Sequence, residues 1–115
     1  MQPYITITSL KLKSAWGFFK LSWFGYKISN QAKAEKGFIN MKNTGFGKLH
    51  YTLTQWQTQE DLKRFAHSGE HLKAMKESAR LASEIYTYTY PGEQMPDWRT
   101  AKKLLLQNGK PLTFR

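Results

Sequence analysis

The stretch from His50 to His71 most strongly limits the folds open to this chain, because its periodicity changes within 22 residues. Between His50 and Trp56, side chains alternate between two faces, as they do in a β-strand. Thr58 then stands where the N-cap of a helix is expected, and Glu60 is favourable in a first helical turn. The segment therefore predicts a strand that leads directly into a helix.

A serine–glycine pair interrupts the predicted helix. Gly is costly inside a helix and Ser caps a new one, so Ser68 and Gly69 predict that one helix ends and another begins. His67 and His71 flank this break and formally match H-x-x-E-H, a zinc-protease motif that needs both histidines on one continuous helix. Because the predicted break separates them, we predict no metal ligand here.

Similar patterns place the other elements. They are a strand over 4–13, an aromatic helix that ends near Gly37, a strand over 38–42, a turn over 43–47, a strand over 48–56, a strand over 83–90, a tail helix over 98–107 and an extended end over 110–114. The order strand, helix, strand, strand, helix, strand predicts an α+β, ferredoxin-like (βαββαβ) subunit. We expect one domain over 1–115, with its core in 1–91 and a C-terminal extension over 92–115.

Composition excludes several classes of protein. With 40% hydrophobic and 15% aromatic residues, the 115-residue chain has enough apolar surface for a folded core. It contains no cysteine, which excludes disulfides and thiolate metal sites. Its most apolar run, residues 15–28, is interrupted by lysines and is too short to span a bilayer. We therefore expect a cytoplasmic protein without a membrane span.

The charge is strongly positive and uneven. The net charge is +10, and residues 1–58 hold eight lysines against one acid, Glu35. Such a balance favours an anionic partner, but the lysines are scattered and form no polybasic arm. The segment 45–51 imitates an RNA-recognition signature, yet Thr44 and Lys48 replace its basic residue and a stacking aromatic. Nucleic-acid binding therefore stays only as a further alternative, supported mainly by the charge.

Aromatic residues and histidines predict a pocket. Six aromatics fall within residues 16–26, several of them at helical spacing. A sheet covered by such a helix can enclose a flat apolar ligand held by a few polar groups, although aromatic stripes more often form plain core. The predicted ligand-binding residues are Trp16, Phe19, Trp23, His50 and Trp56. His71 is the candidate catalytic residue, because neutral imidazole suits a general base, a hydrogen-bond partner or a haem ligand.

The sheet itself predicts a homodimer. Both of its faces carry apolar or aromatic residues, and the helices between the strands can cover only one face. A second subunit, packed sheet against sheet, is the economical cover for the other.

Four short motifs carry a resemblance to a known family. The first is Ser29-Asn30-Gln31-Ala32 followed by Gly37-Phe38, and the second is Thr52-Leu53-Thr54-Gln55-Trp56 followed by Glu60, Asp61, Leu62 and Phe65. The third is Ser68-Gly69-Glu70-His71 followed by Ala74-Met75. The fourth is Met95-Pro96-Asp97-Trp98 followed by Ala101 and Asn108-Gly109-Lys110-Pro111. Together they span nearly the whole chain. The chain resembles the antibiotic-biosynthesis-monooxygenase superfamily of dimeric α/β barrels, and within it the small proteins related to spheroidene monooxygenase.

This resemblance implies a dimeric barrel with a cavity in each subunit and an oxygenase ancestry, with either no cofactor or haem. It places His71 where relatives often carry histidine. The fourth strand departs from the family, because its alternating Tyr and Thr residues provide no secure Asn-Trp-His haem-degrading set. The leading hypothesis is a monooxygenase-like protein acting on an apolar or aromatic small molecule. The alternatives are a non-catalytic ligand-binding or structural dimer of the same fold and a basic nucleic-acid-binding module.

Overall fold

The computed structural model describes residues 2–111, with the backbone alone at positions 46, 69 and 70. Its elements are β1 (Tyr4–Leu12), α1 (Gly17–Ala34), β2 (Phe38–Phe46), β3 (Leu49–Trp56), α2 (Gln59–Ala66), α3 (Gly69–Leu81), β4 (Ala82–Pro91), α4 (Trp98–Asn108) and β5 (Lys110–Pro111). The predicted α+β order is confirmed. The last residues of the predicted extended end, 112–114, lie outside the described part.

All strands form one antiparallel sheet in the order β2-β3-β1-β4-β5. The inner order β2-β3-β1-β4 is that of a ferredoxin-like fold. Because side chains alternate across a strand, Thr6 and Thr8 of β1 face α1, α2 and α3, while Ile5 and Ile7 face the opposite side. The alternation read from the sequence of β1 is therefore confirmed.

Helix α4 covers part of the second sheet face. Its Ala101 and Leu105 pack against Ile5, Ile7 and Leu53, all of them buried. The prediction that this whole face needs a second subunit is therefore wrong in part, because the tail folds back over it. The same helix lies over the sheet surface on which an RNA-recognition domain stacks bases.

The hairpin between β2 and β3 is longer and tighter than the sequence predicted. The predicted turn over 43–47 is wrong, since residues up to 46 continue β2 and pair with β3. Gly45 pairs with His50, and a Cβ atom there would collide with the imidazole ring. Gly47, with φ of 62°, makes the turn instead.

Both predicted helix caps are present. The Thr58 hydroxyl accepts a hydrogen bond from the backbone N–H of Asp61 at 3.1 Å, and α2 begins there. The Ser68 hydroxyl accepts one from the backbone N–H of His71 at 3.4 Å, and α3 begins there. The chain therefore breaks its helix where the sequence predicted. Within residues 2–111, no helix has the length and apolar character needed to cross a membrane.

Candidate functional site

A cavity of about 810 Å³ lies between the sheet and helices α1, α2 and α3. That volume falls in the range of small-molecule sites, roughly 300–1,000 Å³. Strands β1, β2, β3 and β4 form its floor and the three helices its roof. It is much larger than a second pocket, of about 320 Å³, which lies beside Tyr4 and Thr58.

Six threonine side chains of β1, β3 and β4 line the floor of the cavity. They stand in two rows across β3, β1 and β4, and they are Thr54, Thr6 and Thr89 in one row and Thr52, Thr8 and Thr87 in the other. The hydroxyls of Thr6 and Thr89 are 2.9 Å apart, and those of Thr8 and Thr87 are 3.5 Å apart. Each hydroxyl is an uncharged donor and acceptor. The floor therefore suits a ligand with neutral oxygen atoms on one face.

The roof of the cavity is mainly apolar. Its larger side chains are Phe18, Leu21, Tyr26, Ile28, Leu62, Phe65 and Met75. A hydroxyl floor beneath an apolar roof favours a flat molecule that has oxygen atoms on an otherwise hydrophobic frame. The alternation of threonines on three strands was visible in the sequence, but the prediction gave weight only to aromatics and histidines.

His71 is held in one orientation and tautomer. Its Nδ1 lies 3.3 Å from the carbonyl oxygen of Ala66, and because a carbonyl only accepts, Nδ1 donates and the neutral ring keeps its lone pair on Nε2. Its ring packs on Phe65 with centroids 4.4 Å apart. Burial lowers the pKa of His71 from its ordinary 6.5, outweighing the Ala66 hydrogen bond that raises it. The imidazole is thus neutral at physiological pH, and none of the side chains that the structure describes donates a hydrogen bond to its Nε2 lone pair.

His50 lines another part of the cavity. Its Nε2 lies 3.0 Å from the carbonyl oxygen of Gly47, to which it donates, and its ring stacks on Phe18 at 5.4 Å between centroids. Gly45 provides the space for the ring. The contacts with Gly47 and Phe18 therefore fix the His50 ring in the cavity wall, and in this tautomer its Nδ1 can accept a hydrogen bond.

The charged side chains that line the cavity are basic. Lys33 on α1 and Lys63 on α2 belong to the lining, and the described lining residues include no Asp or Glu. Both lysines are exposed, which places them at the solvent-facing part of the wall. This electrostatic balance favours a ligand that carries or develops negative charge.

The structure brings together only part of the predicted site. His50 and His71 both line the cavity, as predicted. Trp56 does not line it but is fully buried behind the roof, where its ring stacks on Phe65 at 4.9 Å. The predicted place of Trp56 in the pocket wall is therefore wrong, and the alternative of plain core applies to it.

The predicted walls from α1 are also misplaced. Trp16, Phe19 and Trp23 are exposed on the outer side of the helix and do not line the cavity. Helix α1 instead turns the stripe with Leu21 and Ala32 toward the body of the protein. Leu21 and Ala32 point to a different side of the helix from Trp16, Phe19 and Trp23, because successive residues are rotated by about 100° around the helix axis. Both stripes have helical spacing, so periodicity alone could not say which one faces inward.

The helix break separates the two histidines of the formal zinc motif. His67 ends α2, with its Nδ1 2.9 Å from the carbonyl oxygen of Lys63, while His71 belongs to α3. Among the described residues, no three side chains of His, Cys, Asp or Glu come close enough to hold a metal ion.

Comparisons with known proteins bear on the fold. No protein-family model matches this sequence, and no curated protein is significantly similar to it. Solved structures do match. A protein of Nitrosomonas europaea assigned to the antibiotic biosynthesis monooxygenases superimposes with a TM-score of 0.73 and 14% identity over 79% of this chain and 90% of its own. The protein has the fold of the antibiotic biosynthesis monooxygenases.

Two further structures support this assignment of the fold. SnoaB of Streptomyces nogalater, a cofactor-independent oxygenase, matches with a TM-score of 0.72 and 8% identity over 84% of this chain and 99% of its own. A protein of Caulobacter crescentus assigned to the antibiotic biosynthesis monooxygenases matches with a TM-score of 0.73 and 10% identity. The match covers 81% of this chain and 92% of the Caulobacter chain. The predicted resemblance to this fold is confirmed. The finer likeness to spheroidene-monooxygenase relatives stays a prediction.

Proposed function

We propose that this protein is a monooxygenase-like protein that binds a flat apolar or aromatic small molecule between its sheet and helices. The observation that carries the proposal is His71: a neutral imidazole in the cavity wall whose Nδ1 is held by Ala66 and whose Nε2 is free to accept. The hydroxyl floor and apolar roof fit an aromatic ligand with phenolic or enolic oxygen atoms. SnoaB, which shares the fold, is a cofactor-independent oxygenase.

The chemistry we propose begins with proton transfer. Nε2 of His71 accepts a proton from a phenolic or enolic hydroxyl of the substrate, and Lys33 and Lys63 stabilise the anion by their charge. Dioxygen then adds to the activated carbon of that anion to give a peroxide. Loss of the remaining C–H proton breaks the O–O bond and leaves a carbonyl, and the hydroxide released takes the proton from His71 to become water. One oxygen atom enters the product and the other leaves as water, so the substrate supplies all four electrons and no external reductant is needed.

Oxygen uptake with anthrone as a probe substrate tests this proposal. We expect uptake with formation of the quinone, and a loss of about 100-fold when His71 is changed to Gln, which removes the base. His67→Gln is the matched control, because this exposed histidine lies on the neighbouring helix and outside the cavity wall. Binding of anthrone without any oxygen uptake would favour the non-catalytic ligand-binding protein instead.

A haem is the second candidate for the cavity. The residue chemistry fits in one respect, since a neutral histidine with its Nδ1–H bonded to a backbone carbonyl is the usual form of a histidine that binds haem iron. His71 would provide that nitrogen, and Lys33 and Lys63 would pair with the propionates. A bound haem would supply dioxygen activation. Hemin titration tests it, with a Soret shift expected only while His71 is present.

We also propose that two copies form the dimeric barrel of this fold. Helix α4 buries the centre of the second sheet face, but Leu106 on α4 and Tyr86 on β4 stay exposed, at 88% and 37%. A second copy packed over this side would cover both. Light scattering should give the mass of a dimer, and Leu106→Asp should give a monomer. A monomeric parent protein would contradict the barrel.

A further inference from the structure

Helix α1 presents large aromatic rings to solvent. Trp16 is 80% exposed, Phe19 68%, Trp23 57% and Tyr26 62%. These four residues form one stripe along the outer side of the helix, which we name the aromatic face of α1. Isolated exposed apolar residues are ordinary, but a contiguous row of large rings marks an interaction surface.

The surroundings of the aromatic face are basic. Lys20 and Lys27 lie on the exposed part of the same helix, and the Lys27 ammonium is 5.2 Å from the centre of the Trp23 ring. The sequence contains no acid before Glu35. A partner that covers these rings must therefore also accept positive charge.

We propose that the aromatic face of α1 docks on an anionic lipid surface. Trp and Tyr prefer the boundary between headgroups and acyl chains, where one part of the ring is apolar and the other is wet. Lysines beside them gain from the negative surface potential of anionic lipids. Helix α1 is 18 residues long and carries its rings and two lysines on the same exposed side, so both groups would meet a lipid surface together.

Charge and ring geometry favour lipid over the other occupants. A second copy of α1 would bring lysines against lysines without acids to pair with them. Nucleic acid would need free ring faces on which to stack bases. Here two pairs of rings contact each other, with centroids 6.3 Å apart for Trp16 and Phe19 and 6.2 Å apart for Trp23 and Tyr26, and the Lys27 ammonium lies over one face of the Trp23 ring. A lipid surface needs neither acids nor free ring faces.

The aromatic face is continuous with the cavity. Tyr26 belongs to both, and Phe18, 45% exposed, lines the cavity while its ring lies 6.1 Å from that of Phe19. Docking would therefore bring an edge of the cavity close to the bilayer, from which an apolar ligand could enter without crossing water. This route rests on the proposed function, whereas the docking itself does not.

Vesicle flotation of the full chain tests the docking. We expect the protein to float with vesicles of phosphatidylcholine and phosphatidylserine, to stay behind with phosphatidylcholine alone, and to dissociate as salt is raised. The double variant Phe19→Ser with Trp23→Ser should lose about tenfold in partitioning, and Lys20→Gln with Lys27→Gln should lose several-fold together with much of the salt dependence.

Matched controls lie away from α1. Leu49→Ser removes an exposed apolar side chain from a strand, and Lys103→Gln with Lys110→Gln removes two exposed charges near the C-terminus; both should float like the parent. His71→Gln should also float normally, which separates docking from the oxygenase proposal.

Three results would overturn the docking proposal. The first is no flotation with anionic vesicles, and the second is equal flotation of the parent and the Phe19/Trp23 double variant. The third is that the same double variant floats like the parent but no longer binds single-stranded RNA, or no longer forms a dimer in the absence of lipid. That result would assign the face to nucleic acid or to a second copy.

Discussion

The Nδ1 atom of His71 lies 3.3 Å from the carbonyl oxygen of Ala66, so the first turn of α3 is tied to the last residue of α2 across the helix break. One contact thereby sets the position of the ring and the nitrogen that carries its proton. The break that separates this histidine from His67 is also what gives His71 its partner. A continuous helix would use the Ala66 carbonyl for its own hydrogen bond four residues later.

The first prediction concerns stability in acid. Because burial lowers the pKa of His71 in the folded state, the unfolded chain binds a proton near pH 6.5 that the folded chain takes up only at lower pH. The free energy of unfolding should therefore fall as the pH drops below about 6.5. Urea unfolding at a series of pH values should show a smaller fall in His71→Gln.

His67→Gln is the control for that measurement, since His67 is exposed at the end of α2. It should keep the acid sensitivity of the parent protein. Identical pH profiles for His71→Gln and the parent would show that His71 is not held neutral by the fold.

The second prediction concerns Gly45. An added Cβ atom would meet the His50 ring, so Gly45→Ala should displace that ring from Phe18 and alter the cavity wall. We expect the affinity for a bound aromatic ligand to fall about tenfold or more, measured by titration calorimetry. Ser14→Ala is the control: Ser14 is exposed and lies outside the cavity lining, so this variant should bind the ligand like the parent protein. An unchanged His50 resonance in Gly45→Ala would contradict the predicted collision.

The sequence predicted what local chemistry determines. The caps at Thr58 and Ser68 and the alternation in β1 follow from hydrogen bonding and side-chain geometry within a few residues, and all are present. Gly45 was read as part of a turn because glycine favours turns. The structure uses it in a strand, since the ring of His50 on the neighbouring strand needs its space. Such a cross-strand requirement cannot be read from glycine alone.

The third prediction concerns the hydroxyl floor. Thr54→Val keeps the shape of the side chain and removes its hydroxyl, so a ligand oxygen bonded there would be left unsatisfied. We expect ligands with phenolic oxygens to bind about 1–2 kcal/mol more weakly, while the corresponding hydrocarbons bind as before. Thr100→Val, on the exposed side of α4, is the control. Equal losses for both classes of ligand would mean that the floor contributes shape without hydrogen bonds.

The fourth prediction concerns the helix junction. The Ser68 hydroxyl accepts hydrogen bonds from the His71 backbone N–H and, at 2.7 Å, from the Gln31 side chain of α1. Ser68→Ala should therefore cost about 1–2 kcal/mol in the free energy of unfolding, through the lost cap and the unsatisfied Gln31 amide. Ser14→Ala should cost less, because within the described part of the chain the Ser14 hydroxyl bonds only an exposed N–H of Trp16, at 3.3 Å. Equal losses in the two variants would contradict this role of Ser68.

Only two of the six predicted site residues line the cavity. His71 and His50 were chosen for their chemistry, and both line the cavity. Trp16, Phe19 and Trp23 were chosen because they are large and periodic, yet they lie on the outer side of α1. Burial alone would favour placing such rings inside. The sheet instead receives the smaller stripe of Leu21, Gly25, Ile28 and Ala32, which leaves room for the cavity.

The proposed role of His71 as a neutral base in the cavity wall is best tested by nitrogen NMR of its ring during titration with a hydroxyanthraquinone. This probe has the flat frame and phenolic oxygens of the proposed ligand class, and it is already oxidised, so it binds without turnover. We expect unliganded His71 to be neutral with its proton on Nδ1, and we expect the Nε2 resonance to shift on binding while His67 does not respond. A proton on Nε2 before binding, or no shift of either His71 nitrogen at saturation, would contradict it.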